Sequence, residues 1–124
     1  MNINKFTQKS IQAVNDLEKI AYEYGNQEIE EEHLLYCLLN QEDSLILKLI
    51  EKMEINKDEF QRSLIDALNK RPKVSGGQVY IGKDLNRVLV SAEDEAKAMG
   101  DEYVSVEHLF LSLLRYPNAG IRDL

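Results

Sequence analysis

Two histidines, His33 and His108, each follow a glutamate directly, Glu32 and Glu107, and each pair opens an apolar run. Imidazole and carboxylate are both metal ligands and both bases, so such pairs are raw material for metal binding or proton transfer. The spacing argues against that chemistry. Neighbouring residues on a helix point about 100 degrees apart, so neither Glu-His pair easily shares one metal, and no His-Glu-x-x-His stretch occurs. The two histidines are therefore read as packed and hydrogen-bonded at equivalent positions in the first turn of two helices. No metal ligand and no catalytic residue is assigned, because such sites need several converging groups. The paired glutamates carry two readings: a carboxylate stabilised at the positive end of a helix, or an acceptor for cationic groups of a partner. Cys37 stands alone among Leu34, Leu35, Leu38 and Leu39. With no Cys-x-x-Cys and no basic neighbour to activate it, the thiol is read as core filler.

The elements that position these residues occur twice. Residues 21–39 and 96–114, 75 positions apart, share seven identities: Ala21/Ala96, Gly25/Gly100, Glu32/Glu107, His33/His108, Leu34/Leu109, Leu38/Leu113 and Leu39/Leu114. Each copy reads as a helix stopped by glycine, which suits the left-handed residue past a helix end, then a short loop and a second helix. Neither half need bury its apolar stripe alone, since the two can pack on each other.

In chain order, Thr7 is a candidate N-cap. Ile11, Val14, Leu17, Ala21 and Tyr24 then step along one helical face to Gly25. A second helix is expected from Glu30 or Glu31 to about Asn40, its acidic opening facing the positive end of the helix dipole, with Ser105 the equivalent cap in the second copy. Ser44 and Asn56 are the caps of a third and a fourth helix, carrying Leu45 to Met53 and Phe60 to Leu68. Positions 69–83 hold Pro72, three glycines and no helical period, and read as a linker between repeats with Val79-Tyr80-Ile81 lying against the surface. A fifth helix carries Leu85 to Met99, and a sixth runs from about Val106 to Tyr116, ended by Pro117. Continuing the 75-residue offset, the second repeat lacks the residues for its third and fourth helices, so the chain reads as truncated there. Val90, Val106, Leu109, Phe110, Leu111, Leu113 and Leu114 exceed what one apolar stripe needs, and either line a surface groove or await cover by those missing helices.

Composition bounds the rest. The 124 residues suffice for one domain. A net charge of -7 argues against a nucleic-acid footprint, and no run of 18 apolar residues indicates a membrane span. A single cysteine and the absence of an apolar signal core fit a cytoplasmic chain. No Gly-x-x-x-x-Gly-Lys-Ser/Thr stretch is present, so no nucleotide or other cofactor is assigned, and the chain is not expected to be an enzyme by itself.

The duplicated Glu-His-Leu-(Leu/Phe) element, the Gly25 and Gly100 helix ends, and the run Ala67-Leu68-Asn69-Lys70-Arg71-Pro72-Lys73-Val74-Ser75-Gly76-Gly77, continued by Asp84-Leu85-Asn86-Arg87-Val88-Leu89, resemble the N-terminal domain of the Clp ATPase family. The linker is most similar to the ClpB disaggregase branch, and the resemblance spans essentially the whole chain. It implies an all-α domain over residues 1–124, a double Clp-N motif of two pseudo-symmetric four-helix repeats. Repeat one covers about 6–68, the linker 69–83, and repeat two, incomplete, about 84–124. It also implies a substrate-recognition module that binds unfolded or aggregated polypeptides before a hexameric ATPase ring threads them, together with an Hsp70-type chaperone system. ATP and magnesium would belong to the full-length protein, and the isolated chain is expected to be a monomer. Positions matching family residues implicated in substrate handling are Thr7, Asp101 and Glu107. Thr7 and Glu107 also have ordinary helix-start explanations, whereas Asp101 has no structural task visible in the sequence. The rival is the ClpC type, a protease-associated branch that binds adaptor proteins and recognises phosphorylated arginine. It usually has Gly-Thr where this chain has Glu30-Glu31 and Ser105-Val106, and an acidic pair repels phosphate.

Overall fold

The computed structural model describes residues 2–124. A short 3-10 turn, Ile3–Lys5, leads into α1 (Gln8–Glu23), followed by β1 (Glu28–Ile29), α2 (Glu31–Leu39), α3 (Leu45–Lys52) and α4 (Lys57–Lys70). The second half holds β2 (Tyr80–Ile81), α5 (Lys83–Ala98), α6 (Val106–Arg115) and the single turn α7 (Ala119–Arg122). The fold is helical, as expected, with one small sheet added.

The helix starts follow from their caps. Thr7 Oγ1 accepts from the Ser10 N–H, Ser44 Oγ from Leu47, Asn56 Oδ1 from Asp58 and Glu59, and Asn118 Oδ1 from Ile121. Each satisfies an amide that has no partner inside its own helix. The stops of α1 and α5 are also built alike. Gly25 and Gly100 have φ of +70° and +73°. Around them, Asn26 N–H donates to Ala21 C=O and Asp101 N–H to Ala96 C=O, at 2.8 and 2.9 Å. This is the closure that a left-handed glycine after a helix makes possible.

The duplication holds to the residue: α1 and α5 are each 16 residues long and begin 75 positions apart, as do α2 and α6. Strand pairing goes further, because it crosses between the halves. Ile29, in the loop of repeat one, pairs in parallel with Ile81, just before α5. Val104, the counterpart of Ile29, pairs in parallel with Phe6, the counterpart of Ile81. Each half thus lends its leading segment to the loop of the other. The hydrogen bonds match as well: Gly82 N–H to Ile29 C=O at 2.8 Å, and Thr7 N–H to Val104 C=O at 3.0 Å.

Three features of the fold go beyond the sequence reading. The stretch 69–83 is partly structured, since α4 continues to Lys70, β2 is hydrogen-bonded to β1, and α5 starts at Lys83. Repeat two has a short third helix, the α7 turn. The run Glu30-Glu31-Glu32, read from the sequence only as the acidic opening of α2, is buried, at 3%, 0% and 2% exposure. The reason lies in α2, which packs against α1, α3, α4, α5, α6 and α7. Eight of its nine residues are buried, and from Leu34 onward all but Tyr36 are buried apolar residues, the pattern of a helix at the centre of a core. Its acidic start is carried inside with it.

Candidate functional site

Each histidine is locked by the backbone on either side of it. The N–H groups of Glu30 and Ser105 donate to Nδ1 of His33 and His108 at 2.9 and 2.8 Å. With Nδ1 accepting, the proton sits on Nε2, which donates to Asn26 Oδ1 at 2.9 Å in one repeat and to Asp101 Oδ2 at 2.8 Å in the other. The shared Gly–Asx and Glu–His features therefore form one device: glycine ends a helix, the next residue holds an imidazole, and that imidazole caps the next helix. Burial and the Arg71 guanidinium lower the pKa of His33 to about 4, so this ring stays neutral. Every ring nitrogen of the two histidines has a hydrogen-bond partner, as the packed reading expects.

The glutamates before them differ. Glu32 accepts from Arg71 Nη1 at 2.6 Å and from Asn118 Nδ2 at 2.7 Å, tying α2 to the segment after α4 and to α7. Neither Glu32 nor Glu107 is the cap, a task the imidazole has taken. Glu107 is exposed and has no hydrogen bond or ion pair among the described residues. Cys37 is buried, which pushes its thiol up to about 12 and keeps it protonated.

Thr7, Asp101 and Glu107 are each tied to the segment that leads into α6 or to its first turn. Thr7 bonds to Val104, Asp101 to His108, and Glu107 starts α6. Asp101, which had no visible task, has one: its carboxylate orients His108. A groove of about 380 Å³ runs beside it, lined by Asn4, Lys5, Glu93, Lys97, Asp101 and Tyr103 among others. Thr7 and Glu107 are outside that lining. From Glu107 an exposed stripe continues along α6 through Leu111 and Leu114, 39% and 52% exposed, at i, i+4 and i+7. Of the surplus apolar residues, Val106, Leu109, Phe110 and Leu113 are buried, and Val90, Leu111 and Leu114 face outward.

What the sequence missed is a second polar centre, between the starts of α2 and α5. The N-cap of α5 is Gly82, and a Cβ there would overlap Glu30 Oε1. Glu30 also receives a hydrogen bond from the Leu85 N–H, so it serves α5 as a cap supplied by the other repeat. Glu31 accepts from the Asn118 N–H at 3.1 Å. Burial raises both carboxyls to about 7, Glu28 and Asp84 adding repulsion at Glu30, and Asp84, Glu30 and Glu32 at Glu31. Nothing local in sequence could reveal this centre, because Asp84 and Asn118 lie 54 and 88 positions beyond Glu30.

Comparison with known proteins agrees with the duplication. The family described as the Clp repeat (R) N-terminal domain matches residues 5–124. Chaperone protein ClpB of Nitratidesulfovibrio vulgaris is 44% identical over 126 residues, covering 98% of this chain and 15% of its own length. Its counterpart in Porphyromonas gingivalis is 40% identical over 114 residues, covering 92% and 13%. The chain thus spans about one seventh of these relatives. Among solved structures, the Hsp104 N-terminal domain of Candida albicans aligns with a TM-score of 0.84 at 23% identity, over 96% of this chain and 78% of that one. A complex of the ClpV N-domain with a VipB peptide aligns at 0.79 and 19%, over 98% and 78%.

Proposed function

The chain belongs to the Clp repeat N-terminal domain family, and from that membership we propose that it is the substrate-recognition domain of a ClpB-type, ATP-dependent disaggregase. It engages unfolded or aggregated polypeptides and passes them to a hexameric ATPase ring, which acts in the cytoplasm with an Hsp70-type system. ATP and magnesium serve that ring.

The observation that supports this reading is the outward stripe Glu107, Leu111 and Leu114 on α6, the helix whose leading segment holds Asp101 and bonds to Thr7. Unfolded chains offer apolar side chains and free backbone amides, and an apolar stripe headed by an unpaired carboxylate suits both. Thr7, Asp101 and Glu107 are assigned to this contact. The ClpC-type reading fits less well, since an acidic pair opens α2 where a phosphate would sit.

The test is an NMR titration of the isotopically labelled chain with an unfolded apolar polypeptide and, separately, an arginine-phosphorylated peptide. The polypeptide is expected to shift a contiguous set of amides from residue 101 through α6. Asp101→Asn and Glu107→Gln should weaken the shifts without unfolding the domain. Asn is chosen at 101 because it keeps the acceptor that His108 needs while removing the charge. Shifts with the phosphorylated peptide alone would favour the ClpC-type reading, and no shift with the polypeptide would overturn the proposal.

A further inference from the structure

Glu30 and Glu31 each keep one carboxylate oxygen, Oε2, buried without a hydrogen-bond partner among the described residues. Their side chains are 3% and 0% exposed, and an unmet buried carboxylate oxygen costs more than an unmet neutral group. The partnered sides are fixed by backbone amides, Leu85 for Glu30 and Asn118 for Glu31. Asp84, in the first turn of α5, is exposed and forms no ion pair among the described residues. One oxygen from each of Glu30, Glu31 and Asp84 lies within 4.8 Å of the others. Two oxygens on opposite sides of a calcium ion are separated by about that distance, at roughly 2.4 Å per bond.

We propose that Glu30, Glu31 and Asp84 form a site for an oxygen-seeking divalent cation, of the Ca²⁺, Mg²⁺ or Mn²⁺ class, that joins the start of α2 to the start of α5. Such a cation gives these two incompletely partnered carboxylates a further partner and removes the repulsion among three carboxylates held together. The amides on the far oxygens orient the ligands, as outer-shell donors do in metal sites. All-carboxylate ligation selects hard cations over zinc or copper. Water completes the coordination through a cavity of about 250 Å³ that Glu31 and Asp84 line with Tyr116 and Asn118. Three arginines also line it. Arg87 lies over the Tyr116 ring at 4.1 Å, Arg115 pairs with Glu95, and none of the three hydrogen-bonds to the carboxylates among the described residues. The other half of the molecule is an internal control: the positions equivalent to Glu30, Glu31 and Asp84 are Ser105, Val106 and Lys9. The repeat fold itself therefore does not demand acid there.

The experiment uses the labelled chain stripped with chelator at pH above 7. Substoichiometric Mn²⁺ is expected to broaden the amides around 30–31, 82–85 and 118 first, excess Ca²⁺ or Mg²⁺ to reverse it, and the melting temperature to rise with the cation. Asp84→Asn, at an exposed position, should keep the fold and raise the Mn²⁺ concentration needed by roughly tenfold or more. Glu59→Gln, at an exposed position of α4 outside the site, should leave it unchanged. Broadening scattered over the acidic surface, equal in Asp84→Asn, would overturn the proposal. So would a domain that is stabilised by lowering pH but unaffected by cations, since protons would then serve the two glutamates.

Discussion

The imidazole at position 33 shows how much one side chain can carry. It accepts from one loop amide, donates to the side chain that follows a helix stop, and is wholly buried. Removing it orphans the Glu30 N–H and the Asn26 carbonyl and leaves a cavity beside Leu34. His33→Ala is therefore expected to cost about 3 kcal/mol, combining two unmet polar groups with lost packing. His108 makes the same bonds, but its acceptor, Asp101, is exposed and can be replaced by water. His108→Ala should cost about half as much. Urea denaturation of the two variants checks the order, and equal losses would show that solvent does not relieve the second site.

At the scale of elements, the helix starts were legible because caps are local: Thr7, Ser44 and Asn56 each sit within three residues of the amides they serve. The glycine stops were legible for the same reason. The exchanged strand pairs were not, since two residues carry no periodicity and Ile81 finds its partner 52 positions away. Nor was the cap of α5, which has glycine where a side chain belongs and borrows a carboxylate from α2. That borrowing can be tested. Gly82 has φ of -71°, which any residue adopts, so what opposes a larger residue there is the Glu30 side chain, with Glu28 Cγ a second and lesser obstacle. Gly82→Ala is expected to cost about 2 kcal/mol by overpacking. In a Glu30→Ala background the same change should cost about half as much or less, because its main obstacle is gone and only the Glu28 side chain must shift. A double-mutant cycle in the presence of chelator measures the coupling, and additive losses would mean that the Glu30 side chain does not fill the space beside Gly82.

For the whole molecule, the crossed segments and the acidic start of α2 make the two repeats one folding unit. Residues 1–75 contain all of α1 to α4, and their caps are complete. Yet that piece lacks Ile81 for the Ile29 backbone and Asn118 for Glu31 and Glu32. It also loses the α5 and α6 surfaces that cover α2, a helix with no natural outer face. Repeat two fares no better, because Val104 N–H would lose the Lys5 carbonyl and Val104 C=O the Thr7 N–H. Burial lost at α2 alone involves several leucines, each worth about 1.5–3 kcal/mol, against a domain stability of about 5–15 kcal/mol. Residues 1–75 prepared alone should therefore show weak helicity and no cooperative thermal transition. Mixing them with residues 76–124 should restore one, at a midpoint that rises with concentration, as association requires. Circular dichroism of the pieces, separate and mixed, decides it. A cooperative melt of the first piece alone would mean that the duplication joins two self-sufficient units, and that the crossed strands fasten them without being needed by either.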